Sequence, residues 1–444
     1  MSHLFIARSQ MAMSLAFHII FAVVGITLPL MMVIAEWRYV ATGNDIYRQI
    51  ARAWGRGTAI MFAVGAVSGT VLSFELGLLW PHFMGWAGAI IGMPFSLEGF
   101  AFFTEAIFMG IYFHGWNRIS QRAHLAAGVV VAVSGAASAL FVVIANAWMN
   151  APTGFHLLHG KPVDIDPIAA MMNRAAFTEV LHMVLAAYAS AGFLVAGMHA
   201  YRLYLDRDSE FDRKALMIAL LVGGIAAVFQ PLTGDMAARE VAHDQPAKMA
   251  AFESLFHTQS GAPLAIGGIP DAATQTVRFG IEVPYLLSLM TYHDPHAVVQ
   301  GLDAFAPDAR PTALITIHLA FQIMVGIGFA MAGVALWAAW LAIRRRSMAD
   351  SPWFLRAVIA ASPLGMVAVE AGWTVTEVGR QPWIIYRVLR TKDAVTPMPH
   401  LAIAFTIFTT LYAVLFFTVV VTLWRQMRSD QPDPMVPSIA IEHL

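Results

Sequence analysis

The chain has 444 residues, 58% hydrophobic and 12% charged, with 27 basic against 28 acidic side chains and no cysteine. Soluble domains carry about 25% charged residues, so this composition and a mean hydropathy of +0.65 mark an integral membrane protein, and a net charge of -1 gives no footing for nucleic acid. The missing thiols exclude iron–sulfur clusters, disulfides, cysteine-linked cofactors and a cysteine nucleophile, leaving His, Met and carboxylate as metal ligands.

Crossing a bilayer takes about 20 apolar residues, and nine stretches qualify: 11–35, 57–79, 93–115, 125–149, 176–199, 215–233, 312–341, 353–373 and 400–424. The first is too long for a signal h-region and lacks a cleavage site, so it is expected to be a retained span. Connections 36–56, 116–124, 200–214 and 342–352 and the tail from 425 hold Lys and Arg at more than twice the density of the N-terminus and connections 80–92, 150–175, 234–311 and 374–399. The positive-inside rule then predicts a cytoplasmic C-terminus and a periplasmic N-terminus.

The expected fold is an all-α membrane bundle divided into helices one to six (1–233), a long periplasmic loop (234–311), helices seven to nine (312–428) and a disordered cytoplasmic tail (429–444) containing Pro432, Pro434 and Pro437. A 234–311 connection is too long for a mere link. Its amphipathic, aromatic run from Pro246 to Phe256 predicts a folded, substrate-contacting loop. No internal repeat suggests a duplicated transporter.

Intramembrane carboxylates are the first candidates for chemistry. Glu370, in Met366-Val367-Ala368-Val369-Glu370-Ala371-Gly372-Trp373, has no neighbouring Lys or Arg, and such a group costs about 3 kcal/mol in lipid unless it is protonated, hydrated or metal-bound. Glu98 and Glu105 are seven residues apart, hence on one helix face and about 10 Å apart along it. That spacing suits a proton relay with Glu105 on the cytoplasmic side. Ion pairing to neighbouring helices is the competing reading, and the spans hold almost no Lys or Arg to support it. Glu75, Glu179 and Glu377 lie nearer span ends and are read as structural.

Of sixteen histidines, His124, His156, His159, His243, His257, His293 and His296 read as solvated loop residues. His18, His182, His199 and His318 lie within spans, with His82, His114 and His400 near ends; each has an ordinary packing reading beside the functional one. His18, His182, Glu370 and Glu98 all fall about one to two turns from the outer face, which points to a shared cofactor site. Haem iron fits best, because imidazole, thioether and carboxylate can all hold it inside a bundle. Spacing leaves the partner opposite His182 open between His318 and any of several methionines, since a methionine is ordinarily core filler.

At this point several motifs coincide: Gly379-Arg380-Gln381-Pro382-Trp383 after Val369-Glu370-Ala371-Gly372-Trp373, Leu97-Glu98-Gly99-Phe100 leading to Glu105, Ala145-Asn146-Ala147-Trp148-Met149, Phe321-Gln322-Ile323-Met324-Val325, and the loop pair Lys248 and Glu253. Through them the chain resembles subunit I of the cytochrome bd quinol oxidases along essentially its whole length, and is similar to the cyanide-insensitive branch with a short quinol loop. The resemblance implies three haems: a low-spin haem b between His182 and Met324, and two high-spin haems, b-type and d-type or b-type only, on His18 and Glu370. It implies further that Glu98 and Glu105 serve the oxygen site and proton transfer, that Lys248 and Glu253 contact quinol, and that Arg380, Gln381 and Trp383 support haem propionates or the quinol site.

Gln322 stands where some relatives have arginine, so a different low-spin haem potential is expected. The implied partners are quinol, oxygen, a subunit II, a small single-helix subunit and the lipid of a bacterial inner membrane. The implied activity is oxidation of quinol at the periplasmic side and reduction of oxygen to water with cytoplasmic protons, generating proton motive force without pumping. A proton-coupled transporter using Glu98, Glu105 and Glu370 would account for the acids but not the histidines. A haem-bearing anchor that only relays electrons would leave Glu370 without a purpose.

Overall fold

The structure, a computed structural model, describes residues 3–429; the expectation of a disordered tail falls on residues outside that range, apart from 429. Fourteen α-helices follow in order: α1 (His3–Thr42), α2 (Asp45–Leu79), α3 (Pro81–Gly115), α4 (Gln121–Asn150), α5 (Pro167–Met171), α6 (Ala176–Leu205), α7 (Glu210–Asp244), α8 (Pro246–Phe252), α9 (Leu286–Tyr292), α10 (Leu314–Ile343), α11 (Pro352–Ala361), α12 (Leu364–Gly379), α13 (Thr391–Ala394) and α14 (Leu401–Ser429). Among the described residues nine membrane-length apolar segments result, with α11 and α12 sharing one. Pro363, which has no N–H to donate, sits at the break between those two.

The helices overrun the apolar windows. α3 starts at Pro81 rather than 93, and α7 continues to Asp244 rather than stopping at 233. A bilayer sets the length of the apolar core, whereas a helix continues until its backbone bonds are interrupted or capped. The basic-rich turns supply such caps: Asn44 accepts from Ile46 N–H, Ser120 from Ala123 N–H, and Ser209 from Asp212 N–H.

Small residues let the helices close up, as expected where lipid removes most of the hydrophobic drive for association. A Cβ on Gly192 of α6 would lie 2.5 Å from the Gly223 Cα of α7, and one on Gly365 of α12 would lie 2.5 Å from the Ser190 Cα of α6. Thr27 of α1 donates to the Ala187 carbonyl of α6 at 3.1 Å. These three contacts fix the relative heights of the helices that carry the site.

At the bundle end that holds the N-terminus, the connections fold into short antiparallel pairs. Three lie in the long connection between α7 and α10: Gln259–Ser260 with Val298–Val299, Leu264–Ile266 with Ile281–Val283, and Ile269–Asp271 with Thr276–Arg278. The run from Pro246 forms α8, and its Met249, Phe252, Leu255 and Phe256 are buried. Phe252 stacks on Phe321 of α10, ring centroids 4.3 Å apart. The loop is therefore packed onto the bundle, as its amphipathic pattern predicts.

Candidate functional site

A cavity of about 890 Å³ opens where α6, α7, α10 and α12 meet α8, within the range typical of sites for small molecules and cofactors. His182 and Met324 both line it, as do Lys248 and Glu253 from the loop. Two glycines make room for the first pair: a Cβ on Gly234 would lie 3.3 Å from His182 Cε1, and one on Gly372 would lie 3.0 Å from Met324 Sδ.

The tautomer of His182 follows from its neighbours. Thr233 donates its hydroxyl proton to the Gln230 carbonyl at 3.1 Å, so the Thr233 oxygen 3.2 Å from His182 Nδ1 acts as acceptor. Nδ1 then carries the proton, and Nε2 presents its lone pair. His18 repeats the device: Ser68 donates to the Val64 carbonyl at 2.8 Å and accepts from His18 Nδ1 at 3.0 Å. In both cases a hydroxyl already spent on a backbone carbonyl orients the ring through Nδ1, the second-sphere arrangement of a metal-binding imidazole. At His182 the Gln230 amide nitrogen lies 3.2 Å from both Nδ1 and Nε2, while Gln230 Oε1 is buried without a partner among the described residues.

A charged network roofs the cavity. Asn150 Oδ1 accepts from Lys248 Nζ at 3.3 Å and from Arg380 at 3.1 Å, and its amide donates to Glu179 at 2.8 Å. Glu377 accepts from Asn146 at 2.6 Å and from Arg380 at 2.5 Å. Two acids thus face two bases. Burial pulls Lys248 down to about 8, with Glu179 acting in the opposite direction. Burial pushes Glu253 up to about 8, and its Oε2 has no partner among the described residues.

Helix register separates side chains that sequence places at one depth. Thr27 against Ala187, on helices running the same way, sets His18 beside position 178 of α6. Gly365 against Ser190, on oppositely running helices, sets Glu377 near that height and Glu370 about two turns further in. Asn146 joins Glu377 and Ser138 donates to Glu98 at 3.1 Å, so Glu98 also sits about two turns below Glu377. His18 and Glu377 therefore share a level that His18 and Glu370 do not. Glu105 is 6% exposed and fits against α4 because Gly135 leaves it space, a Cβ there falling 3.2 Å from Oε1.

The family profile of cytochrome bd terminal oxidase subunit I matches residues 6–431. The chain belongs to that family. A Bacillus subtilis (strain 168) protein provisionally named cytochrome bd menaquinol oxidase subunit I is 38% identical over 98% of both chains. Cytochrome bd ubiquinol oxidase subunit 1 of the same strain is 32% identical over 89% of this chain and 87% of its own. The solved bd oxidase of Geobacillus thermodenitrificans superposes with a TM-score of 0.91 at 39% identity, covering 97% of this chain and 99% of that one. As a bd oxidase subunit I, the chain is a multi-pass component of a haem-containing quinol oxidase that uses quinol and oxygen and works with a subunit II.

Within that frame, several residues take places their sequence positions did not announce. His318 is fully buried, with Nδ1 2.8 Å from the Phe252 carbonyl and Nε2 3.1 Å from the Gly267 carbonyl; neither nitrogen is left for iron, so it is not the partner of His182. Gln322 spends its amide on the loop, accepting from Gly267 N–H and donating to the Ala265 carbonyl, each at 3.0 Å. Gln381 turns back on the Glu377 carbonyl at 3.4 Å, and Trp383 carries Arg390 over its ring at 5.0 Å. His199 is a packing histidine, held by Asp212 at 2.7 Å and Trp54 at 3.2 Å.

His124 is not solvated. It is 3% exposed and bonded to an equally buried Glu36. Glu179, Glu377 and Asn150, read as structural or passed over in the sequence because they lie near span ends, join the network around the buried Lys248.

Proposed function

We propose that the His182–Met324 cavity holds a low-spin haem b and that the loop side of the same cavity, at Lys248 and Glu253, receives quinol. The observation that carries this reading is the continuity of one apolar cavity from the hydroxyl-oriented His182 to those two loop side chains. His18, oriented in the same way, holds one of two high-spin haems, of b-type and d-type or b-type only. A carboxylate of α12 holds the other. Bound haem supplies one-electron transfer and the iron at which oxygen is reduced.

The chain's own residues handle protons and position. Glu253 has a carboxylate oxygen without a partner among the described residues and accepts a proton from a quinol hydroxyl, while Lys248 donates to the other quinol oxygen. The density of basic residues supports a periplasmic position for this end, with the N-terminus there and the C-terminus in the cytoplasm. Protons for water formation then pass Glu105 and Glu98 from the cytoplasmic side. Quinol releases its protons on the opposite side, so charge separates without pumping. Arg380, Gln381 and Trp383 brace the roof near Glu377, and a small single-helix subunit completes the complex.

Register favours Glu377 as the α12 carboxylate, because it shares the His18 level. Glu370 is retained as the second reading for one reason: its Oε1 is buried without a partner among the described residues. Reduced-minus-oxidised spectra of the purified complex decide between them. Glu377→Gln should remove a high-spin component while Glu370→Gln leaves it, and the reverse pattern would return the assignment to Glu370. A complex without haem bands from haem-replete cells would overturn the whole reading.

A further inference from the structure

At the bundle end away from the quinol loop, four helices converge on a buried polar cluster outside the site described above. Glu36 of α1 and His124 of α4 are 2% and 3% exposed. Their Oε1 and Nδ1 lie 2.7 Å apart. The other imidazole nitrogen, Nε2, lies 2.8 Å from the Tyr112 carbonyl of α3, which can only accept. Nε2 must therefore carry a proton. The Nδ1–Oε1 contact then holds one further proton, which can rest on either atom without changing the charge of the pair.

The cluster continues toward the carboxylates on α3. The Tyr112 hydroxyl lies against Glu36, yet among the described residues neither that hydroxyl nor Glu36 Oε2 has a hydrogen-bond partner of good geometry. Two adjacent buried orphans of this kind are the usual setting of an internal water. Glu98, Glu105 and Tyr112 are spaced by seven, so they stand on one face of α3. Opposite them α4 repeats the interval, since a Cβ on Gly135 would crowd Glu105 at 3.2 Å and one on Gly128 would crowd Tyr112 at 2.9 Å. The aqueous end is close: His124 is within about one turn of the start of α4, and Tyr112 within about one turn of the end of α3. Trp116, its ring 4.1 Å from that of His124 and capped by Arg52 of α2 at 4.8 Å, closes the outside.

We propose that Glu36 and His124 form the entry relay of the proton route to Glu105 and Glu98, an inference that rests on the role and orientation proposed for that pair. The Glu36 carboxylate takes a proton from the aqueous end, shares it with His124 Nδ1, and releases it from Oε2 through water beside the Tyr112 hydroxyl. A purely structural clamp would have the same contacts but would not need an exchangeable proton.

Glu36→Gln separates the two roles, because its amide can still donate to His124 Nδ1 but cannot carry a proton in transit. In the purified complex, quinol-driven oxygen consumption should fall roughly tenfold with unchanged haem spectra, and Glu36→Asp should restore most of it. Should Glu36→Gln not assemble, His124→Gln carries the same expectation, since its amide can keep the bond to the Tyr112 carbonyl. Wild-type turnover in the assembled variant, with an unaltered solvent deuterium isotope effect, would overturn the relay. Glu105→Gln is measured in parallel. Slow turnover there beside normal turnover in Glu36→Gln sinks only the entry relay, whereas normal turnover in Glu105→Gln sinks the route on which it depends.

Discussion

Lys248 donates to Asn150 Oδ1 across 3.3 Å, on the same oxygen that Arg380 reaches at 3.1 Å. One neutral amide thus holds two cations side by side, while its nitrogen holds Glu179. Asn150→Leu would remove all three contacts and add none. Hydrogen bonds to charged groups are worth about 1.5–3 kcal/mol each, and some will re-form with water, so a loss of roughly 2–5 kcal/mol is expected. Thermal unfolding of the complex in detergent checks it, and a quinol KM raised by an order of magnitude should accompany it because Lys248 loses its anchor. Unchanged stability and KM would mean that the network is not what positions Lys248.

Much of this architecture was legible from residue order alone. Apolar runs and basic loops supply the nine spans, and the Pro246–Phe256 pattern supplies a packed α8. What could not be read was height. His18 and Glu370 look level when depth is counted from the ends of apolar windows, but α1 begins at His3 and the helices cross at heights set by Gly365, Ser190 and Thr27. His124 misled for a related reason. It lies beside a basic turn that looks solvated, and only the fold brings Glu36 to it from a helix 88 positions away.

As the proposed acceptor of the quinol proton, Glu253 sets the expected pH dependence of quinol oxidation. With its carboxyl pushed up to about 8 by burial, most of it is protonated at neutral pH and unable to accept a proton. The rate under quinol-limited conditions should therefore climb from pH 6 to a maximum near 8 and fall above it, as Lys248, pulled down to about 8, loses its charge and can no longer donate to quinol. Glu253→Gln should be slow and flat over that window. Folded-state stability has the same origin and the opposite slope: the native chain holds this proton between pH 4.5 and about 8 while the unfolded chain does not, so that contribution declines as pH rises. A wild-type rate that falls between pH 6 and 8 would remove Glu253 as the acceptor.

Met324 can be tested without touching it. Because a Cβ on Gly372 would already sit 3.0 Å from Sδ, the branched side chain of Gly372→Val should push the thioether aside. The proposed low-spin haem should then become high-spin and bind carbon monoxide, as it should in Met324→Leu. The two variants should share one spectrum. A low-spin spectrum persisting in Met324→Leu would take Met324 out of the haem site.

Gln322 spends both ends of its amide on the backbone between Ala265 and Gly267, beside His318, whose Nε2 also meets the Gly267 carbonyl. These contacts pin the loop strand that lines the cavity. They give Gln322 a backbone-pinning role beside the proposed haem site. Losing two bonds of about 1 kcal/mol each in Gln322→Ala should raise local opening of this strand roughly thirtyfold. Amide hydrogen exchange at Gly267 reads that directly, and the spectral position of the haem should move little. If exchange is unchanged while the haem potential shifts by tens of millivolts, Gln322 acts on the cofactor and the strand is held by other contacts.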